Sequence, residues 1–401
     1  MSLILALAFG LVSSSLTAQL MTVNELGQYR FLISSASVVI SATSFGMFSS
    51  AGTLLAGKGG GRFRMLVARG AGAQAWIVAA SCSICVGVVL YLGADRSAEG
   101  MIVLATLLGS AMAWPLLLQE ILRAQGQLVG LACLNAVPTG LFILLLLGAT
   151  RLLAGPLDAA LCAVLFFAAQ GLVSWGLVSL YRIDLGAQRL GFAYLLRRNR
   201  NLGLHVYWAS LLAALTAQTG IFVLQSVRTP SEVAVFALAM TLTAPLTMLP
   251  SSIGTAYFSR LPGAPGFPPK VVGFGWAASV VIAVMFCLVV PFAVDILYGP
   301  HFAAVSIPAQ LCGLAAVLHG MGDVYNRYYL ANRETRLLLR VVTIVFVTAV
   351  VASLPAGFLF GPTGAALARL ASSGVYVIIM GYYYHVTRRR KKNKGTTHVE
   401  G

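Results

Sequence analysis

Twelve long apolar runs constrain this chain more than any other feature of its sequence. A helix needs about 20 consecutive apolar residues to cross the hydrocarbon core of a bilayer. None of the runs alternates polar and apolar residues with the period of two that barrel strands show. Only 9% of the residues are charged, against about 25% in soluble domains. The sequence therefore predicts an all-α polytopic membrane protein with spans near residues 2–21, 30–54, 72–94, 100–122, 128–149, 157–181, 204–226, 232–257, 271–296, 303–329, 338–360 and 364–386.

The placement of the basic residues predicts the orientation of these spans. The chain has 27 Lys and Arg against 11 Asp and Glu. Most of the basic residues fall in alternate loops and in the tail 387–401, whereas the opposite loops contain only Arg30, Arg96, Arg151 and Arg228. Because Lys and Arg are retained on the cytoplasmic side, both termini are expected in the cytoplasm. Topology and contact with lipid headgroups then explain the positive charge, and nucleic-acid binding is not expected.

Three short segments recur at a nearly constant offset, which predicts an internal repeat. Thr22–Tyr29 matches Thr229–Phe236, Gln119–Gln125 matches Asn326–Asn332, and Gly155–Leu161 matches Gly361–Leu367. Two homologous six-helix bundles are therefore expected, at 1–181 and 204–386, joined by a cytoplasmic linker at 182–203. Because each bundle has an even number of spans, the two are parallel and related by a pseudo-twofold axis along the membrane normal. Such a pair encloses a cleft, as a transporter requires.

Several motifs give the chain a family resemblance; they are Glu25–Tyr29, Pro250–Ile253, Leu297–Phe302, Leu330–Asn332 and Gly361–Ala366. Together they resemble the polysaccharide-biosynthesis flippases (O-antigen translocases) of the multidrug/oligosaccharidyl-lipid/polysaccharide (MOP) exporter superfamily. The resemblance implies a non-enzymatic protein of the bacterial inner membrane. It would flip an undecaprenyl-diphosphate-linked oligosaccharide from the cytoplasmic to the periplasmic leaflet by alternating access. O-antigen, capsule or exopolysaccharide assembly would follow, with a polymerase and a chain-length regulator as partners.

The chemistry of such a headgroup selects candidate binding residues. A diphosphate-sugar is anionic and hydroxylated, so its path must supply cations and hydrogen-bonding groups. Arginine suits a diphosphate because its fork donates bidentately and its charge is permanent. The candidates are Arg30, Arg123, Arg327 and Arg369, with an anchor at the membrane interface as the alternative for each. Gln218 and Asn326 are candidates for binding the sugar, with interhelical hydrogen bonding as their alternative.

Transport could be driven by an ion gradient or by substrate flux alone, and coupling to an ion gradient needs a titratable group inside the membrane. His319 and Arg327 flank Asp323 at i−4 and i+4 on one helical face, so Asp323 and His319 are candidates for taking up H⁺ or Na⁺. A static ion pair between helices is the alternative. Glu120 is a third candidate, although its spacing from Arg123 (i, i+3) favours an ion pair near the interface.

Two other functions compete with the flippase. A multidrug exporter of the same superfamily would need anionic groups to hold cationic drugs, and the first span contains none. A membrane-embedded polymerase or ligase would need a substantial periplasmic domain or catalytic acids, and the outward loops offer little of either. The six cysteines all fall inside apolar runs, where thiols usually act as small packing residues, so neither a disulfide framework nor a metal site is expected.

Overall fold

The computed structural model of the chain describes residues 2–56, 61–93, 99–152, 155, 157–184, 186–202, 204–247, 250, 253–254, 257, 261, 266–332 and 334–396. The helices are α1 (Ser2–Leu20), α2 (Val23–Thr43), α3 (Met47–Ala56), α4 (Gly61–Gly93), α5 (Glu99–Gly109), α6 (Trp114–Ala124), α7 (Leu128–Leu152), α8 (Ala159–Leu180), α9 (Arg189–Leu202), α10 (Leu204–Val227), α11 (Pro230–Thr243), α12 (Pro269–Tyr298), α13 (Ser306–Ala331) and α14 (Thr335–Thr396). Short 3₁₀ segments add Ser110–Ala113, Ala244–Thr247 and Pro300–Val305.

The helices account for the twelve predicted spans. Nine helical stretches in the described part of the chain are long and apolar enough to cross a membrane. One of the nine, Thr335–Arg388, is interrupted at Gly361 and supplies two spans. The first two predicted spans correspond to the shorter apolar helix Leu5–Leu20 and to α2 with α3, which a turn separates. The predicted all-α polytopic fold is confirmed.

The chain divides into two compact units, Met1–Ala214 and Leu215–Gly401. In the first unit, a core around α3, α4 and α6 is built from aliphatic residues such as Leu117 and Leu118, both fully buried. In the second unit, tyrosines of α13 and α14 pack together with Phe267. The boundary between the units falls within α10. The finer limits of the two bundles, at 181 and 204, stay a prediction.

The predicted linker 182–203 contains α9, which packs on α4 within the first unit. Their backbones meet at two glycines. A Cβ on Gly191 would overlap the carbonyl oxygen of Leu66, and a Cβ on Gly70 would overlap the backbone of Gly191. Only glycine lets two helices approach this closely. The two glycines therefore allow the backbones of α9 and α4 to pack in direct contact.

An exposed ion pair also links the start of this segment to α4. Nε of Arg69 donates to Oδ2 of Asp184 at 2.9 Å, and this hydrogen bond lowers the pKa of the Asp184 carboxyl. Because that pKa is lowered on folding, the pair stabilises the fold fully above the ordinary pKa of aspartate. Its contribution is lost as the pH falls through the lowered value. The link is therefore intact at neutral pH.

The second predicted span is broken where α2 ends. Phe45 (φ 47°) and Gly46 (φ 67°) adopt left-handed conformations, and the chain restarts as α3. Such a break frees backbone carbonyls, which need donors inside a membrane. The Asn199 amide of α9 donates to the Phe45 carbonyl, the Tyr207 hydroxyl donates to the Ala42 carbonyl at 2.7 Å, and the Gln74 amide donates to the Thr43 carbonyl. Three side chains thus replace the lost helical hydrogen bonds.

The two glutamates of the repeat lie near the start of a helix in their own units. In the first unit, Oε2 of Glu25 accepts a hydrogen bond from the Ala159 backbone N–H at 2.7 Å, at the start of α8. In the second unit, Oε2 of Glu232 lies against Gly361, where the second half of α14 starts. A carboxylate is favourable beside a helix N-terminus, whose free N–H groups carry partial positive charge. Among the described residues Oε2 of Glu232 has no hydrogen-bond partner, so the hydrogen bond of Glu25 is not repeated.

Gly361 should be hard to replace. Its φ of 55° lies in the left-handed region, and a Cβ there would overlap Glu232. We expect Gly361→Ala to lower the free energy of unfolding by about 1–3 kcal/mol, measured as thermal unfolding in detergent. Gly374→Ala on the same helix is the matched control, because a Cβ there meets open space. Equal stability of the two variants would contradict this account of the break.

Candidate functional site

A group of polar side chains lies between α13 and the second half of α14 in the second unit. The Tyr376 hydroxyl donates a hydrogen bond to Oδ1 of Asp323 at 2.9 Å. The His319 and Tyr376 rings stack, with centroids 4.6 Å apart and planes 27° apart. The Asn326 side chain is also hydrogen-bonded to Tyr376. We call these four residues, His319, Asp323, Asn326 and Tyr376, the Asp323 cluster.

The sequence builds this cluster by spacing and by a glycine. His319, Asp323 and Asn326 follow each other at i, i+4 and i+7, so α13 presents them on one face. Gly322 leaves room for the facing ring, since a Cβ there would stand 2.5 Å from Cδ1 of Tyr376. Tyr376 is only 3% exposed. A buried tyrosine hydroxyl needs a hydrogen-bond partner, which Asp323 supplies.

Arg327 does not join Asp323 as the helical spacing predicts. In the described ranges, ion pairs link Arg69 with Asp184, Arg123 with Glu120 and Arg228 with Glu232. Arg327 is exposed, and its Cγ lies beside the backbone of Gly254. A static ion pair between Asp323 and Arg327 is therefore not formed. The hydroxyl of Tyr376 takes the place that the arginine was expected to fill.

Arg369 lies about two turns into the second half of α14. One of its guanidinium nitrogens, Nη1, donates to the Ala217 carbonyl of α10 at 3.3 Å. The side chain is half-buried, and none of the ion pairs in the described ranges involves it. Gln218, the next residue along α10, is also half-buried. Arg369 is thus a cation inside the spanning helices that is bound to a neutral carbonyl.

Arg30 has a similar environment in the first unit. The helix α2 begins at Val23, seven residues earlier, so Arg30 lies about two turns into that helix. Nη2 donates to the Ser14 hydroxyl of α1 at 2.7 Å, and Ser14 is only 2% exposed. Among the described residues, the Nε of Arg30 is buried without a hydrogen-bond partner. Arg30 is thus a second cation that donates to a neutral group.

The remaining candidates, Glu120 and Arg123, pair with each other. Nη1 of Arg123 lies 2.9 Å from Oε1 of Glu120, and the arginine side chain is 56% exposed. Glu120 also touches Gly52 of α3, where a Cβ would stand 2.8 Å from Oε2. The pair belongs to the first unit. This arrangement agrees with the interfacial ion pair that the i, i+3 spacing favours.

The first unit also holds a cavity of about 270 Å³. Its polar lining comes from the Ser37 and Ser41 hydroxyls of α2 and the Gln170 amide of α8, and its apolar lining from Met112, Pro115 and Leu116. The 3₁₀ segment Ser110–Ala113 interrupts the fourth span beside it. The cavity therefore offers hydrogen-bonding groups at the depth of the spanning helices, as a hydroxylated ligand requires.

The donor groups of the Asp323 cluster determine which ion the cluster could take up. It offers one carboxylate, one imidazole, one phenol and one amide. Hard cations are held by several oxygen ligands, and within the described ranges no group of three His, Cys, Asp or Glu could hold a metal ion. A carboxylate next to an imidazole can instead accept and release a proton. The carboxylate and the imidazole of the cluster are therefore candidates for taking up a proton.

Sequence reasoning missed two residues of these sites, Tyr376 and Ser14. Both contact a titratable or charged group from a neighbouring helix. Tyr376 looks like one of many membrane tyrosines, and Ser14 lies in a run of serines without charge. The glycine opposite Tyr376 is a signal, since Gly322 directly precedes Asp323, but only the helix packing reveals which ring it admits.

Solved structures similar to this chain include that of the lipid II flippase MurJ in an inward closed conformation. The similarity has 13% sequence identity and a TM-score of 0.77, and covers 95% of this chain and 86% of that chain. An inward-facing multidrug resistance MATE family transporter of the MOP superfamily gives 14% identity and a TM-score of 0.74, covering 96% of each chain. The chain has the fold of the MOP superfamily. At these identities the likeness extends to the fold alone.

A third similar structure is a MOP superfamily transporter from Pyrococcus furiosus, described as having a binding pocket of reverse polarity that suggests a different function. It gives 14% identity and a TM-score of 0.63 over 98% of this chain and 94% of that chain. No family model matches the sequence, and no curated protein matches it. The three similar structures named here are those of one flippase and two transporters.

Proposed function

We propose that this protein flips a polyprenyl-diphosphate-linked oligosaccharide from the cytoplasmic to the periplasmic leaflet by alternating access. Undecaprenyl diphosphate is the expected carrier, in the inner membrane of a bacterium and with both termini cytoplasmic. The product would supply O-antigen, capsule or exopolysaccharide assembly through a polymerase and a chain-length regulator. The MOP fold supports transport in general, and the charges inside the spans favour an anionic cargo.

The observation that carries the proposal is an imbalance between bases and acids in the spanning helices. Arg30 and Arg369 hydrogen-bond to a hydroxyl and a carbonyl, and neither is in an ion pair within the described ranges. The carboxylates Glu25, Asp158 and Asp323 instead accept hydrogen bonds from within the protein. An anionic ligand therefore finds free positive charge here. The planar fork of an arginine matches a phosphate in charge and geometry.

We further propose a proton as the coupling ion, with the Asp323 cluster as its site. Asp323 exchanges the proton, and the His319 ring stacked beside Tyr376 is the second titratable group. An intramembrane carboxylate next to histidine is the usual composition of a proton relay.

The competing proposal is an exporter of cationic drugs, since a multidrug resistance MATE family transporter shares the fold. Such cargo needs a carboxylate that is free to face it. The occupied carboxylates and the unpaired arginines argue against it. The two proposals therefore differ in the charge of the cargo.

Reconstituted vesicles distinguish the two cargoes. We expect purified protein to move a fluorescent polyprenyl-diphosphate oligosaccharide between leaflets, detected as a change in its accessibility to a sugar-oxidising reagent. Protein-free vesicles and the same oligosaccharide on an uncharged lipid are the controls. Transport of a cationic dye without movement of the diphosphate lipid would establish the exporter instead.

A further inference from the structure

The helix α9 has an outer face that none of the functions above uses. Its inner face packs on α4 through Gly191 and Leu195, both buried. On the opposite face, Leu190, Tyr194 and Arg197 follow at i, i+4 and i+7. Leu190 is 74% exposed and Tyr194 is 37% exposed. An exposed apolar stripe on a helix that is already docked indicates a second contact.

The same surface is strongly basic. Arg189, Arg197 and Arg198 of α9 are exposed, and so is Arg62 at the start of α4. The helix itself contains no Asp or Glu. The nearest acid in the sequence, Asp184, is occupied by Arg69. We call the exposed residues Arg62, Arg189, Leu190, Tyr194, Arg197 and Arg198 the α9 platform. Its charge is complementary to an anionic partner.

The length of α4 indicates at which depth of the membrane the α9 platform lies. The helix has 33 residues, which at 1.5 Å per residue is about 50 Å, whereas the hydrocarbon core is about 30 Å thick. The stretch after Gly70 is enough to cross that core. The first turns, with Arg62 and the crossing point at Gly70 and Gly191, therefore extend beyond it. This places α9 at the level of the lipid headgroups.

We propose that the α9 platform binds anionic phospholipid of the leaflet on its side of the membrane. The arginines contact the lipid phosphates, while Leu190 and Tyr194 enter the boundary between headgroups and acyl chains. A helix with apolar and basic residues on its free face is the usual form of an interfacial lipid-binding helix. Basic residues at a membrane surface attract anionic lipids. The proposal is independent of the cargo.

Lipid bound to the α9 platform would also stabilise the break between α2 and α3 in the second span. On the inner face of α9, Asn199 donates to the Phe45 carbonyl and accepts a hydrogen bond from the Ser50 hydroxyl at 2.8 Å. The Phe63 and Tyr194 rings meet edge to face, with centroids 5.8 Å apart, which ties the outer face to α4. A lipid that holds α9 in place therefore also holds the donor that closes the break.

The test uses full-length protein in detergent, titrated with phosphatidylglycerol and followed by native mass spectrometry. We expect Arg197→Gln/Arg198→Gln to weaken phosphatidylglycerol binding by about ten- to thirty-fold, since each basic residue near an anionic surface contributes roughly fivefold. The matched control is Arg336→Gln/Arg340→Gln, which removes the same charge from two exposed residues of α14 that lie outside the α9 platform and should therefore weaken binding less than the platform variant does. Equal losses in the two variants would overturn the proposal.

Two further measurements do not depend on a variant folding. Hydrogen exchange over residues 189–202 of the wild-type protein should slow in nanodiscs that contain phosphatidylglycerol, relative to phosphatidylcholine alone. Unchanged exchange would overturn the proposal. Glycerol phosphate, added in solution, should not compete with the lipid, because it lacks the acyl chains that Leu190 and Tyr194 contact. Full competition would assign the surface to a soluble phosphate instead.

Discussion

Arg369→Ala is expected to reduce translocation of the diphosphate-linked oligosaccharide by about 10- to 100-fold. Hydrogen bonds to charged groups contribute about 1.5–3 kcal/mol, and each 1.4 kcal/mol is a factor of ten. The measurement is the initial rate of headgroup exposure in reconstituted vesicles. Arg369→Lys keeps the charge but loses the planar fork, so an intermediate rate is expected. Arg30→Ala should behave like Arg369→Ala, because Arg30 likewise donates to a neutral group and is in no ion pair within the described ranges.

The contacts of Arg369 allow the expected loss of translocation to be distinguished from unfolding of the variant. Arg369 donates to a neutral carbonyl, so its removal leaves no buried carboxylate without a partner, the costly outcome of breaking an ion pair. We therefore expect a folded variant with a thermal midpoint close to that of the wild type. Arg340→Ala, an exposed arginine of the same helix, is the matched control and should transport normally. A wild-type rate for Arg369→Ala and Arg30→Ala together would remove both residues from the mechanism.

Asp323→Asn is expected to abolish the acceleration of transport by a proton gradient while cargo binding remains. Asparagine has nearly the same shape and its amide oxygen still accepts from the Tyr376 hydroxyl, but it cannot exchange a proton. The measurement is the ratio of translocation rates with and without an imposed pH gradient, which should fall to about one, because the coupling vanishes when differential proton binding is removed. Binding of the lipid-linked cargo is measured in parallel.

Two variants control this experiment. Asp295→Asn removes an exposed carboxylate at the end of α12 and should leave the ratio unchanged. Tyr376→Phe keeps the ring stacked on His319 and removes only the hydroxyl that holds Asp323, so a weakened but measurable response is expected. If Asp323→Asn still responded fully to the gradient, the Asp323 cluster would be structural and coupling would have to be sought elsewhere.

The fold follows from the sequence because its determinants are repetitive. The apolar runs predict twelve spans, and the helices of the described residues account for them. The breaks within the spans are harder to predict from the sequence. Nothing in the pattern around Phe45 distinguishes a left-handed turn from a continuing span, since the donors that stabilise it, Asn199 and Tyr207, come from far along the chain.

The candidate site is less predictable for a related reason. Helical spacing predicts which residues share a face of α13, and His319, Asp323 and Asn326 do so. It does not predict which neighbouring helix supplies the partner. Spacing favoured Arg327 for Asp323, but the buried hydroxyl of Tyr376 has greater need of an acceptor, and the exposed arginine can be solvated instead. Which helix supplies the hydrogen-bond partner of a carboxylate can be determined only from the tertiary structure.

The turn between α2 and α3 has a mechanical consequence. A continuous helix resists bending because its backbone hydrogen bonds must stretch, whereas here those hydrogen bonds are already interrupted and the freed carbonyls accept from buried side chains of α4, α9 and α10. The two halves of the second span therefore do not share a continuous backbone ladder. A change in the angle between α2 and α3 would have to be accompanied by a movement of the three donor side chains.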